Sequence, residues 1–410
     1  MTEALFVVIA VIVVALAFDF TNGFHDSANA MATSVATGAL KPRVAVLLAA
    51  VLNVVGAFIA TEVAKTISGG LIGDESLISP GIVLAGLAGA IVWNLVTWLF
   101  GLPSSSSHAL FGGLIGAVIV GAGMHAVDFG VVMSKVLLPA LIAPVVAAVA
   151  ATAATVLAYR ITAKSRGGRT SGFKHGQTVT ASLVALAHGT SDGQKTMGVI
   201  TLVLIAANFQ PSGSGPELWV VLAAGLAMGL GTYSGGWRIM RTMGKGIVEI
   251  EAPQGFAAEA SSTAAILASS HLGFGLSTTH VCTGSIIGSG IGRRGSKIRW
   301  SVVRTMLAAW VITLPAAAII GGLAALAVRL DFIGIVILLA TLAVLSAWIW
   351  LMSKRNAVSH QNVNDSDRVV VLAQAAEAER KARIAAIHDD GTLSVDAIRA
   401  ERRNSRKADV

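Results

Sequence analysis

Charged residues are scarce in this 410-residue sequence, and cysteine is almost absent. Asp, Glu, Lys and Arg make up 13% of the chain, against roughly 25% in soluble domains, whereas 54% of the residues are hydrophobic. This balance excludes an ordinary soluble domain and indicates a polytopic, all-helical membrane protein. The single cysteine, Cys282, excludes both a disulfide framework and a cysteine metal site.

Seven apolar stretches are the clearest candidates for membrane spans. They cover residues 4–18, 44–64, 81–100, 129–159, 218–230, 302–328 and 332–351. Several of them reach the ~20 residues with which a helix crosses the hydrocarbon layer. No small-residue cleavage site follows the first stretch, so we interpret it as a retained span and not as a signal peptide.

Basic residues are concentrated in two segments beside the apolar stretches, within a net charge of +8. The clusters are Arg160, Lys164, Arg166, Arg169 and Lys174, and then Arg293, Arg294, Lys297, Arg299 and Arg304. Such clusters are typical of cytoplasmic loops, so the charge indicates membrane topology and not nucleic-acid binding. We therefore divide the chain into a first membrane half (1–160), a basic cytoplasmic loop (161–177), a second membrane half (178–353) and a charged cytoplasmic tail (354–410). Within the tail, residues 373–387 are predicted to form a short helix.

Two polar fragments of the first half recur in the second half. "NGFHDSANAMATSVATG" (22–38) returns as "HGTSDGQKTMG" (188–198), with glycine three residues before the aspartate and methionine five residues after it. "GLPSSSSHALFGGLIG" (101–116) returns as "GLSTTHVCTGSIIG" (275–288), with glycines four and eight residues after the histidine. The aspartates lie 166 residues apart and the histidines 172. This agreement predicts a duplicated unit, which is typical of secondary transporters. The spacing leaves open whether the halves are parallel or inverted.

The second of these fragments carries hydroxyl groups where a helix is expected to begin. The residues are Ser104, Ser105, Ser106 and Ser107 in the first half, and Ser277, Thr278 and Thr279 in the second half. A helix N-terminus has a partial positive charge and free N–H donors, so two hydroxyl-rich N-termini that face each other could bind a tetrahedral oxyanion. The alternative is a pair of ordinary N-caps, for which Ser and Thr are common. Runs of four and three hydroxyls exceed what one cap needs, which favours the anion site.

The first fragment carries acids that cannot simply be anion ligands. Ionisable residues at membrane depth usually mark ion pathways, so we expect coupling cations or protons at the candidates that follow. They are Asp26, Asp192, Glu259 and, beside the first aspartate, His25. Asn29 and Gln194 are expected to offer carbonyl oxygens to the cation or amide donors to the anion. The alternative is that both aspartates cap helices. Lys195 either pairs with Asp192 or faces the substrate, and the sequence leaves both open.

Four quoted segments, "NGFHDSANAMATSVATGAL", "AHGTSDGQKTMGVI", "PSSSSH" and "LSTTH", resemble the duplicated signature of the inorganic phosphate transporter family. The resemblance runs from about residue 18 to 290. It implies an all-α fold with two inverted repeats, broken helices and re-entrant hairpins that meet at a central phosphate, in about 12 membrane segments. The family's signature residues fall on Asp26, Asn29 and Asp192, its hairpin hydroxyls on both hydroxyl runs, and its second-half acid on Glu259.

The sequence departs from the sodium-driven members of that family in one motif. Those members tend to have "GANDVAN" where this chain has "GFHDSAN", which places Phe24 and His25 before the aspartate; some also have glutamate where this chain has Asn53. The "GFHD" form resembles bacterial low-affinity permeases, which move phosphate, often as a neutral metal–phosphate complex, with protons.

We therefore expect a secondary active transporter of the plasma membrane that imports inorganic phosphate by proton symport. A sodium-coupled phosphate symporter and a sulfate permease of the same fold are the alternatives. An intramembrane hydrolase is disfavoured because the Ser-His segment occurs twice, whereas a hydrolase needs one nucleophile. The expected partners are phosphate, alone or with a divalent metal, the coupling cation and the lipid bilayer, with no resident cofactor and no nucleic acid; a homodimer is left open.

Overall fold

The computed structural model describes residues 2–69, 79–162 and 169–365, and this part of the chain is built from helices. In chain order they are α1 (Thr2–Ala36), α2 (Pro42–Gly56), α3 (Glu62–Gly69), α4 (Pro80–Leu99), α5 (Ser106–Gly121), α6 (Phe129–Val131), α7 (Leu138–Ile161), α8 (Arg169–Ala206), α9 (Leu218–Ser234), α10 (Trp237–Arg241), α11 (Ala252–His271), α12 (Thr278–Gly292), α13 (Trp300–Val328) and α14 (Asp331–Ser353). The β contact recorded in these ranges is one isolated bridge, between Val248 and Ile298. The expected all-α class is confirmed.

Five helical segments of the described ranges are long and apolar enough to cross a membrane: α1, α4, residues 129–161, α13 and α14. The pair α9–α10 makes a sixth if it counts as one span, although it bends by 60°. Gly235 lies at that bend with φ +78°, a conformation that glycine adopts without the strain a side chain would bring. The chain is therefore a multi-pass membrane protein, and the total of about 12 segments stays a prediction.

Several boundaries differ from those predicted. The apolar run 4–18 continues as helix through the polar fragment to Ala36, where Gly38 (φ +68°) and Pro42 separate α1 from α2. Helix α8 begins at Arg169, inside the predicted loop, since charged residues are well tolerated in a helix end outside the apolar layer. The predicted helix at 373–387 lies outside the described residues.

The first residues of the predicted tail pack on the helical part. The Arg241 guanidinium donates to the backbone and side-chain oxygens of Asn362, and the Asn364 amide donates to the carbonyl of Val35 at 3.3 Å. The compact unit accordingly extends to Asn364, about ten residues beyond the predicted boundary at 353.

The two halves of the chain pack on each other through equivalent pairs of helices. Helix α1 lies on α9, and its counterpart α8 lies on α2. The glycines that precede the two aspartates make these contacts possible: a Cβ at Gly23 would collide with the carbonyl of Met228, and one at Gly189 with the carbonyl of Asn53. Small residues allow this close approach of membrane helices.

The glycines that follow the hydroxyl segments play the same part. They are Gly112, Gly116, Gly284 and Gly288. The first two touch backbone carbonyls of α13, and the last two touch backbone carbonyls of α7. The glycines that define the sequence repeat are therefore contact points between helices, which hold α5 and α12 in matching surroundings.

Candidate functional site

Helices α5 and α12 begin with the two hydroxyl runs. In each helix one serine caps the N-terminus: Ser105 accepts from the backbone N–H of His108 at 3.1 Å, and Ser277 accepts from that of His280 at 3.3 Å. The N-cap reading is therefore right for these two serines. Each of these two hydroxyls caps its own helix, and the contacts with other helices are made by the neighbouring residues of the runs.

The two helix tips meet inside the protein. The imidazole rings of His108 and His280 lie 4.8 Å apart between centroids, and the Ser107 hydroxyl donates to the carbonyl of Leu276 at 3.2 Å. All seven residues of the two runs are at most 2% exposed. The tips are thus close together and away from the aqueous surface, as an anion site between two helix N-termini requires.

The remaining hydroxyls contact buried polar side chains of α1 and α8. Ser106 donates to Asp26 Oδ2 at 2.7 Å, and its counterpart Thr278 donates to Asp192 Oδ2 at 3.4 Å. Each helix tip therefore holds the aspartate of its own half of the chain. Since the paired residues occupy equivalent positions of the sequence repeat, the duplication extends to the contacts of individual side chains.

A second pair of contacts crosses between the halves. Lys195 Nζ donates to Ser107 Oγ at 2.6 Å, and Asn29 Nδ2 donates to Thr279 Oγ1 at 2.9 Å. Thr279 also donates to Asp26 Oδ1 at 3.4 Å. We call the set Asp26, Asn29, His188, Asp192 and Lys195, with Ser106, Ser107, Thr278 and Thr279, the central cluster.

Both aspartates lie in the interior of continuous helices. Asp26 is 1% exposed within α1, and Asp192 is 0% exposed within α8. The alternative in which they cap helix ends is therefore wrong. A carboxylate at this depth needs compensating partners, because its desolvation is costly.

Two histidines and a lysine supply those partners. His25 Nδ1 lies 2.6 Å from Asp26 Oδ1, and Lys195 Nζ lies 2.5 Å from Asp192 Oδ1. His188 Nε2 stands between the two carboxylates, 3.9 Å from Asp26 Oδ2 and 3.5 Å from Asp192 Oδ2. The His188 imidazole thus lies between the two carboxylates, which share a single electrostatic environment.

Ser104, the first residue of its run, lies beside this cluster. Its hydroxyl donates to Thr97 Oγ1 at 2.8 Å and lies 3.3 Å from His25 Nε2. Ser104 therefore contacts His25, which in turn contacts the Asp26 carboxylate.

Gln194 does not join the central cluster. Its side-chain oxygen accepts from the backbone N–H groups of Val63 and Ala64 at 2.7 and 3.3 Å, and its amide donates to the carbonyl of Thr190 at 2.5 Å. Gln194 follows Asp192 by two residues, and such residues point to different faces of a helix. The expectation of a ligand at Gln194 is therefore not met, and this side chain satisfies the first N–H groups of α3.

Lys195, and not Gln194, is the residue of the second half that corresponds to Asn29. It follows Asp192 by three residues, as Asn29 follows Asp26, so both side chains share a helix face with their aspartate. Lys195 is 0% exposed and contacts both Asp192 and Ser107. Of the two alternatives that the sequence left open, the pairing with the carboxylate is observed; the ammonium also contacts the Ser107 hydroxyl, and a contact with substrate stays a prediction.

Glu259 lies in a separate buried pocket between α1, α8 and α11. Its carboxylate accepts from four side chains: Thr33 at 2.5 Å, Ser34 at 2.6 Å, Thr180 at 2.6 Å and Gln177 at 3.2 Å. Thr33 follows Asp26 by seven residues, which is about 10 Å along the helix. The predicted position of Glu259 inside the membrane part is supported by its burial, whereas it shares no contact with the central cluster among the described residues.

Two features of the site were missed in the sequence. His188 was not singled out, although it stands 166 residues after Asn22, the same offset that relates the aspartates. Asp26, His188 and Asp192 also offer ligand atoms that lie within 4.8 Å of one another, a grouping that could hold a metal ion. The repeat offset, applied to every polar residue of the first fragment, would have identified the histidine.

Comparison with known proteins identifies the family of this chain. The profile described as "Phosphate transporter family" matches residues 22–171 and 164–321, which together are more than two thirds of the chain. A relative from Mycobacterium tuberculosis, named "probable low-affinity inorganic phosphate transporter", is 52% identical over 89% of this chain and 88% of its own length. This chain belongs to the phosphate transporter family.

Other phosphate transporter family members are similar over most of the chain. A Bacillus subtilis relative with the same printed name is 43% identical over 78% of this chain and 96% of its own length. A solved structure titled "The sodium-dependent phosphate transporter" superposes with a TM-score of 0.70 at 23% identity, covering 81% of this chain and 100% of that one. The structural likeness supports the fold. The chain is accordingly a membrane transport protein and not an enzyme.

Proposed function

We propose that this protein imports inorganic phosphate across the plasma membrane by proton symport, through alternating access. One observation carries the proposal: two hydroxyl-bearing helix N-termini meet at a buried cluster that holds one lysine and two aspartates. The names of the relatives and the family support phosphate as the substrate. Two inverted repeats in about 12 membrane segments, with a cytoplasmic tail, remain the topology that we propose from the duplicated sequence.

The donors of the cluster suit an anion. The N-termini of α5 and α12 offer partial positive charge and hydroxyl groups, Lys195 adds a full charge and Asn29 adds an amide. We infer that phosphate would take over the hydrogen bonds that Ser107 and Thr279 now exchange with Lys195 and Asn29. Such replacement of water by prearranged donors is what makes an anion stable at membrane depth.

The carboxylates of the cluster favour phosphate over sulfate. Asp26 and Asp192 are acceptors, so they would repel a fully ionised anion but would accept a hydrogen bond from the P–OH group of hydrogen phosphate. Sulfate has no such proton near neutral pH. The same acids explain why a cation must accompany the substrate, because each buried charge needs compensation.

The surroundings of the aspartates favour a proton over sodium as that cation. Sodium in transporters is bound by carbonyls of unwound helices, whereas both aspartates lie in continuous helices whose carbonyls bond internally. Asp26 instead faces the imidazole of His25 and the hydroxyl of Ser106. Imidazoles carry and release protons near physiological pH.

A metal–phosphate complex is the second form of substrate that we consider. The grouping of Asp26, His188 and Asp192 supports it, because carboxylate and imidazole ligands within 4.8 Å suit a divalent cation. A metal would then neutralise part of the phosphate charge and arrive as cargo together with it.

The protein reconstituted in liposomes tests this function. We expect [³²P]phosphate to accumulate under an inward proton gradient, and a sodium gradient at equal pH to drive about tenfold less uptake or none. Sulfate in excess should compete poorly. Uptake measured with and without Mg²⁺ shows whether the substrate is free phosphate or a metal–phosphate complex. Accumulation driven by sodium alone would contradict proton coupling, and sulfate uptake without phosphate uptake would contradict the substrate.

A further inference from the structure

Asp19 is a fourth buried acidic residue of the membrane part, after Asp26, Asp192 and Glu259, and it lies outside both the central cluster and the Glu259 pocket. It lies in α1 and is 0% exposed, at the end of an otherwise apolar stretch. Within the described ranges of the chain, neither of its carboxylate oxygens has a hydrogen-bond partner. A buried carboxylate without partners is unfavourable, so its presence calls for a ligand or a proton.

The side chains around Asp19 offer oxygen atoms that are also unpartnered. Asn22 follows by three residues, so it shares the helix face of Asp19, and it too is 0% exposed. The Thr196 hydroxyl of α8 is near enough to the Asp19 carboxylate to act on it electrostatically, although the two groups lie beyond ordinary hydrogen-bond distance. In the part of the chain that the structure describes, both polar atoms of Asn22 and the Thr196 hydroxyl lack a hydrogen-bond partner.

Asn94 of α4 completes this group. His25 Nε2 lies 3.3 Å from Thr97 Oγ1, and Asn22 and Asn94 each stand three residues before that pair. Phe6 near the start of α1 and Gly81 near the start of α4 both lie against the start of α14, at Phe332 and Ile335. The packed helices α1 and α4 therefore run in one direction, and the two asparagines lie at one level. The polar atoms of Asn94 are buried and, among the described residues, also unpartnered.

Asp19 is not required by the duplicated architecture. The residue 166 positions later, at the equivalent place of the second half, is Ala185. The same helix packing therefore forms with a methyl group at this position. An acid that the packing does not need, and that carries a desolvation penalty, is better explained by binding than by stability.

The position of Asp19 connects it with the coupling route. It precedes Asp26 by seven residues, about 10 Å along α1, while Thr33 of the Glu259 pocket follows Asp26 by the same number. The charged and titratable groups that act most strongly on Asp19 are His188, Asp192 and Lys195 of α8. Buried acids thus occur at three levels along α1, with the central cluster at the middle level.

We propose that Asp19, together with Asn22, Asn94 and Thr196, forms a buried monovalent-cation site on the route of the coupling cation to the central cluster. This inference rests on the proposed function in that the cation is the one which drives phosphate uptake. The site takes a proton or hydronium, or sodium, since one carboxylate with amide and hydroxyl oxygens suits each of them. Asp19 binds the cation either on its way to Asp26 and Asp192 or on its way from them.

Gradient-driven uptake by reconstituted full-length variants is the first arm of the test. Asp19→Asn is expected to lower the initial rate of [³²P]phosphate uptake by about tenfold or more under whichever gradient, proton or sodium, drives the wild type. Asp19→Glu keeps the carboxylate and should retain most of the rate. The matched control is Asp128→Asn, an exposed aspartate that caps α6, where asparagine caps equally well.

Infrared difference spectroscopy without phosphate is the second arm. Changing pH, or adding sodium at fixed pH, should alter a carboxyl band in the wild type that Asp19→Asn lacks and Asp128→Asn keeps. Phosphate-dependent thermal stabilisation of Asp19→Asn should persist, which separates loss of a cation site from loss of the fold.

The outcomes of the two arms are separable. A wild-type rate in Asp19→Asn, or an unchanged carboxyl band, overturns the cation site even if phosphate transport by the wild type is proved. The site is also overturned if Asp19→Asn fails to fold and therefore shows no stabilisation by phosphate, because Asp19 would then have a structural role. If the wild type moves no phosphate, the proposed function fails, and the infrared arm still decides whether Asp19 binds a cation.

Discussion

Asp26→Asn is expected to abolish phosphate uptake while the protein remains folded in the membrane. The carboxylate accepts from Ser106 and Thr279 and lies 2.6 Å from the His25 ring. Asparagine has nearly the same shape, but one of its two oxygens becomes an N–H donor, which would face hydroxyls and an imidazole. Truncating a buried charge of this kind costs about 3 kcal/mol or more, which corresponds to about 100-fold in rate or affinity.

Asp192→Asn is the matched companion of that variant. Asp192 occupies the equivalent position of the second half, is equally buried and contacts Thr278 and Lys195. Uptake of [³²P]phosphate in proteoliposomes, normalised to the amount of folded protein, measures both variants. Wild-type uptake in either of them would refute the assignment of that aspartate to the coupling cation.

Lys195→Met is expected to have the second largest effect, because it removes the buried cation nearest to the helix tips. Nζ contacts both Asp192 Oδ1 and Ser107 Oγ, so the ammonium links the acid to the hydroxyl run for which we propose anion binding. Without it Asp192 remains buried without its ammonium partner, which lowers the free energy of unfolding by about 3 kcal/mol. Phosphate affinity should fall by about 100-fold as well, since a charge-assisted donor is lost.

A double variant separates the two roles of Lys195. Lys195→Met with Asp192→Asn removes both charges, so we expect most of the stability to return while phosphate uptake stays absent. Lys135→Met is the control: this half-buried lysine lies over the Phe274 ring, and the same substitution there should leave phosphate binding intact. Wild-type phosphate affinity in Lys195→Met would contradict a substrate role for this residue.

The sequence predicted the parts of the site that stand out chemically. Asp26 and the serine run are conspicuous in an apolar chain, and their recurrence as Asp192 and the threonine run indicated one shared site. The all-α membrane class followed from composition. These conclusions depended on residue type and spacing, which are visible without coordinates.

The parts that were missed depended on helix continuity and on which face a side chain occupies. The family resemblance implied broken helices without saying which ones, whereas α1 continues through its polar fragment because its own backbone hydrogen bonds remain intact. Without the helical phase, Gln194 looked as suitable as Lys195, although only the latter shares a face with Asp192. Asp19 escaped notice because a single acid at the end of an apolar stretch has no local pattern to mark it.

The burial of the site also has a consequence for the transport cycle. Every residue of both hydroxyl runs is nearly inaccessible, so under the proposed function phosphate can reach the cluster only after helices move apart. The close glycine contacts of α5 with α13 and of α12 with α7 suggest that each tip moves with the helix that holds it. Alternating access of this type needs two such bodies around a fixed site.

The location of a bound tetrahedral oxyanion tests the central claim most directly. Arsenate has the shape of phosphate and scatters X-rays anomalously, so crystals grown with it would reveal its position. We predict one arsenate between the N-termini of α5 and α12, within hydrogen-bond distance of Ser107, Thr279 and Lys195. An arsenate bound elsewhere, with the two helix tips still in mutual contact, would contradict the account.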